Sequence, residues 1–124
     1  MNVHELSKKM MDAKAECDAS ITAYREAVLA DANADDVKRR AMAREWVKVR
    51  EDAPKATVGY IEALVDEETS SEQKAARLAD GYKRAAAMRV EAARQWLSSL
   101  QSLAAAQRAE TELAKWEPRE TSVA

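Results

Sequence analysis

The run Ala86-Ala87-Met88-Arg89-Val90-Glu91-Ala92-Ala93-Arg94-Gln95-Trp96-Leu97-Ser98-Ser99-Leu100 decides the fold. Its inward candidates, Ala86, Val90, Ala93, Leu97 and Leu100, are spaced by threes and fours, the period at which one face of a helix meets a partner. The spacing reaches back to Tyr82 and Leu78 and on to Ala104, Gln107, Thr111 and Ala114. Two successive steps of four, at Tyr82, Ala86 and Val90, read as a stutter, which locally unwinds a supercoil. One helix over about 71–116 follows. At 1.5 Å per residue it is roughly 65–70 Å long.

The same spacing organises the start of the chain. Val3, Leu6, Met10, Ala13, Cys17, Ser20, Tyr24 and Ala27 alternate threes and fours, with Ile21 and Val28 widening the stripe. This predicts a helix over 3–30. In Asp31-Ala32-Asn33-Ala34-Asp35-Asp36 the asparagine suits a helix end, and either following aspartate suits a new cap. A second helix is therefore expected over 35–52, with Val37, Met42, Trp46 and Val49 on its apolar face and Pro54 as its stop. Thr57 is the expected cap of a third helix over 57–67. The acidic stretch Asp66 to Glu72 reads as a break before the fourth helix, with Ser70 or Ser71 as its cap. Pro118 is expected to end that helix and leave a loose tail at 117–124.

Composition agrees. Of 124 residues only two are glycine and two proline, 34% are charged, and alanine is the largest part of the 47% hydrophobic share, with no phenylalanine. Such a chain reads as all-α: a single helical domain, an elongated antiparallel hairpin or bundle with a long coiled-coil-like C-terminal helix. Alanine brings little apolar area to bury, so self-association is expected to supply the missing contact. Tyr82, Val90, Leu97, Leu100, Leu103 and Leu113 are the candidate oligomer interface.

Catalytic chemistry finds no foothold. His4 is the only histidine and lies near the N-terminus, and Cys17 falls on an apolar seam where a thiol packs rather than reacts. Asp66, Glu67, Glu68 and Glu72 lack the glycine turn and alternating oxygen ligands of a calcium loop. No glycine cluster exists to cradle phosphate. The expectation is a non-enzymatic protein with no metal and no cofactor. A single cysteine, no apolar signal region after Met1 and no apolar run of ~20 residues point to a soluble cytoplasmic chain.

Charge gives the binding candidate. The chain carries −2 overall, which is not the field of a strong nucleic-acid binder. Between Val37 and Arg50, however, Lys38, Arg39, Arg40, Arg44, Lys48 and Arg50 face one acid, Glu45, for a local charge of +5. Arg40, Arg44 and Lys48, each four apart, form one row along a helix. Two readings stay open: phosphate contact, or pairing with the acidic first helix or with Glu62 to Glu72. A second basic set, Arg77, Lys83, Arg84, Arg89 and Arg94, spreads around the last helix. Trp96 and Trp116 suit either base stacking or packing.

Ala63-Leu64-Val65-Asp66, Thr69, and the run Leu97-Ser98-Ser99-Leu100-Gln101-Ser102-Leu103-Ala104-Ala105-Ala106-Gln107-Arg108-Ala109-Glu110 resemble a group of small helical phage proteins, notably from phages of actinobacteria. The resemblance spans about Thr57 to Ala114, and Gln101, Ser102, Arg108 and Glu110 give it its specificity. That group is compared with UvsY-type recombination mediators. The resemblance implies a recombination accessory factor in a bacterial host cell: helical, oligomeric, binding single-stranded DNA and helping a recombinase where a single-strand-binding protein sits. It implies no catalytic residue. The alternatives are a module that inhibits or recruits a host or phage protein, and a structural coiled-coil protein.

Overall fold

The structure is a computed structural model, and it describes residues 1–116. The expected stop at Pro118 and the tail at 117–124 lie outside the described residues. Among these, the chain is all-α, with no strand: α1 spans Val3–Asp52, α2 Val58–Glu68 and α3 Ser70–Trp116.

Asn2 caps α1, its Oδ1 accepting the Glu5 amide at 2.7 Å. The helix then runs on without interruption through Asp31–Asp36. The expected break there, between helices over 3–30 and 35–52, is corrected to one helix. Aspartate and asparagine cost at most about 0.7 kcal/mol each against alanine, far less than proline. The inward period also never lapses, since Ala27, Asp31, Ala34, Lys38 and Ala41 are all buried or half-buried at steps of three and four. Asp35 and Asp36 do not cap; they bind cations one turn later on the same helix.

Pro54 ends α1 as expected, and the chain turns through a hydrogen bond from the Ala56 amide to the Ala53 carbonyl. Thr57 caps α2, its hydroxyl accepting the Tyr60 amide at 3.2 Å. The break between α2 and α3 is one residue wide. Thr69 leaves helical geometry at φ −106° and ψ 18°. Its amide still reaches Val65 and its carbonyl still receives Gln73, so the ladder bends rather than stops. The Thr69 hydroxyl, fully buried, donates to the Val65 carbonyl at 2.7 Å and accepts from Gln73 Nε2 at 3.0 Å. Thr69, and neither Ser70 nor Ser71, holds the start of α3.

Two compact units divide the chain. One comprises Met1–Ser20 with the residues from Val90 onward. In it, Leu6, Ala13 and Leu100 form the buried core, with Met10, Leu97 and Ala104 packed around them. Gln107 Nε2 donates to the Met1 carbonyl at 2.9 Å, so the two helical segments run antiparallel. Ser20 is fully buried and spends its hydroxyl on the Cys17 carbonyl. The other unit is Ile21–Arg89. Its core is Val49, Ile61 and Val65, flanked by Met42, Trp46, Ala56 and Leu64 where α1 meets α2.

Candidate functional site

The six cations expected to meet phosphate occupy the second half of α1, where the helix fixes their order but not their availability. Lys38 and Arg39 share the Asp35 carboxylate, at 3.3 and 2.9 Å, and Arg40 reaches Asp36 at 3.1 Å. Arg50 Nη1 donates to the Ala56 carbonyl across the turn at 3.4 Å. Arg44 and Lys48, one helical turn apart and exposed, have no acidic partner among the described residues. The N-terminal half of the row is thus paired along its own helix, while Arg44 and Lys48 are left without such a pair among the described residues. The pairing is loose, since the Arg39 and Arg40 side chains remain 76% exposed. Exposed ion pairs of this kind contribute ~0–1 kcal/mol, so an external phosphate can displace them at little cost.

Beside the row lies a cleft between α1 and α3 of about 750 Å³. Small residues open it: Ala32 on one wall, Ala76 and Gly81 on the other. Its charges alternate, with Asp31, Asp35 and Asp80 against Lys38, Arg77 and Arg84, so it offers no net field to an anion. At its edge Lys83 Nζ binds Asp31 Oδ2 at 2.8 Å and lies 3.8 Å from Asp80. The hydrogen bond that Lys83 donates to Asp31, then the charge of that carboxylate, raises the Lys83 pKa above its ordinary 10.5 against an opposing cost of burial.

The Asp31–Lys83 tie was missed in the sequence, although a signal was there. Asp31 and Lys38 fall on the inward period of α1, where an ionisable residue needs a partner. On α3 the stutter at Tyr82, Ala86 and Val90 marks a change of face. Tyr82 is exposed, Ala86 and Val90 are half-buried, and Lys83 takes the inward place beside Tyr82.

The candidate interface residues therefore separate. Leu100 is buried in the first unit's own core, Leu97 packs against that core and Val90 is half-buried. Tyr82, Leu103 and Leu113 are exposed. Cys17 is buried and His4 exposed. Among the described residues, no three His, Cys, Asp or Glu side chains converge as metal ligands, and no helix is long and apolar enough to cross a membrane. Comparison with protein-family models, curated proteins and solved structures found no match.

Proposed function

We propose that this chain is a non-enzymatic helical protein that holds single-stranded nucleic acid by its phosphates, along the second half of α1. The observation that carries the reading is Arg44 and Lys48, exposed in one row without acidic partners among the described residues. Arg39 and Arg40 extend the row with weak, exchangeable pairs. A flexible single strand suits a row of point charges better than a duplex does, because its backbone adapts to the helix. The resemblance to phage helical proteins supports a role as a recombination accessory factor in a bacterial host, acting beside a recombinase or a single-strand-binding protein.

The test is fluorescence anisotropy of a labelled single-stranded oligonucleotide across a salt series. Binding is expected at low salt and falls as salt rises, because phosphate contact releases counterions. Arg44→Glu with Lys48→Glu should weaken binding uniformly across sequences and flatten the salt dependence by the share of two phosphate contacts. No binding at low salt, or binding indifferent to salt, rejects the reading.

A second reading, docking onto a basic protein, is favoured by the end of α2. Asp66, Glu67 and Glu68 crowd its last turn without a basic residue, where the helix dipole disfavours negative charge. An acidic end with no basic residue in its last turn suits a cationic partner surface. Retention of one stoichiometric protein band after nuclease treatment of a pull-down would support this second reading.

A further inference from the structure

The seam that α3 buries in the first unit leaves a second seam on its outer side. Ala92, Trp96, Ser99, Leu103, Ala106 and Glu110 recur at steps of four and three, and every one is exposed. Trp96 and Leu103, 41% and 39% exposed, occupy one heptad position; Ala92, Ser99 and Ala106 occupy the other. Large and small side chains therefore alternate along the face. Ser99 spends its hydroxyl on the Gln95 carbonyl at 2.9 Å, so covering it strands no polar group.

Charge limits what can cover this face. One residue in three of the chain is charged, yet residues 95–107 hold none. The residues bordering the outer seam, Gln95, Ser102 and Ala109 on one side and Gln107 on the other, are neutral too. A neutral strip gives a charged partner nothing to recognise and gives a second copy nothing to repel.

We infer that this outer face of α3 is a self-association surface, and that a second copy of the chain covers it in antiparallel orientation about a two-fold axis at Gln101. Antiparallel helices bring one heptad position against the other. Each large residue then meets a small one: Trp96 packs on Ala106 of the second copy, Leu103 on its Ser99, and both contacts recur by symmetry. Parallel pairing instead sets Trp96 against Trp96 and leaves gaps at the alanines. This register also matches the neutral run with itself and keeps Glu110 at the margin, opposite Ala92. Moving the axis by half a heptad towards the N-terminus brings Arg89 into the seam opposite Ala106.

Area sets the strength. A strip of about 18 residues is roughly 27 Å long and about 10 Å wide, or roughly 300 Å² per copy, against about 800 Å² per partner in a standard interface. The dimer is a weak one, seen at high micromolar concentration. This inference uses none of the α1 cations and stands whether or not they bind phosphate.

Sedimentation equilibrium of the whole chain from about 5 to about 500 μM, a range set by this small area, tests it. The native chain should move from one copy to two. Ala106→Trp, which sets tryptophan against Trp96 of the second copy, should stay at one copy throughout. Adding Trp96→Ala restores one large and one small residue at each contact and should recover the dimer. The second swap, Ser99→Leu with Leu103→Ser, should behave as the first double variant does. All four positions are exposed, and circular dichroism confirms that each variant keeps native helicity. A native chain that stays monomeric, a mass that climbs beyond two copies, or helical double variants that fail to recover would each overturn the proposal.

Discussion

The two hydrophobic clusters are built on opposite economies. Where α1 meets α2, three branched residues, Val49, Ile61 and Val65, share one core, and Trp46, Met42 and Leu64 close around it. In the unit of the chain's first residues, Leu6 and Leu100 meet across Ala13. Alanine there allows close helix approach but contributes little buried area. The difference follows from what each must hold. The first cluster fixes a turn, where the chain reverses and the helical ladder ends. The second only keeps two helical segments side by side, and regular spacing does most of that.

The comparison breaks or survives on truncation. Ile61 is fully buried and Leu100 is 7% exposed. Ile61→Ala should cost more than Leu100→Ala, both within the ~2–5 kcal/mol typical of such deletions, with the branched cluster at the upper end because its neighbours cannot collapse into the space. Urea denaturation of the two variants decides it. Equal losses would mean that the turn cluster holds no more of the fold than the alanine seam.

Much of this was legible in the residues. Steps of three and four marked α1 and α3, Thr57 and Pro54 framed the turn, and the break before α3 was placed within two residues. Asp31–Asp36 reads as a break by its polar composition, but the inward period overrides composition there. Ala27, Ala34 and Ala41 kept the inward face going, and Asp31 and Lys38 sat on it in register. The basic row was visible as charge, but which cations keep their charge for a partner was not. Asp35 and Asp36 stand three or four residues before Lys38, Arg39 and Arg40 and hold them; Arg44 has no acid at those spacings in either direction, and Lys48, with Glu45, Glu51 and Asp52 at such spacings, makes no ion pair among the described residues. The outer seam of α3 is hidden in the sequence because Tyr82 and Leu78, which continue it, also fit the spacing of the inner one.

A smaller effect probes the polar stretch of the Ile21–Arg89 unit, which neither cluster covers. Asp31 raises the Lys83 pKa, so the folded chain holds that proton more tightly than the unfolded one. Below about 10.5 both states are protonated and the stabilisation is fully present; it is lost as pH rises through the raised value. A third of the Lys83 side chain stays exposed, so solvent screens the pair and the effect is modest. Urea midpoints measured from pH 8 upward should fall more steeply for the native chain than for Lys83→Met. Parallel curves would show that the Asp31 contact does not select for the charged lysine.

The smallest effect is the most direct on the shape of α1. Asn33 is exposed and lies mid-helix, touching neither cluster. Within a continuous helix alanine is the better residue by roughly 0.5 kcal/mol, since asparagine competes for backbone hydrogen bonds that the helix needs. Asn33→Ala should therefore stabilise the chain. At a true helix end, asparagine would occupy the left-handed position that alanine resists, and the same substitution would destabilise. The sign of a small shift in urea midpoint thus separates one helix of 50 residues from two shorter ones, with no change in core, charge pairing or turn to confuse it.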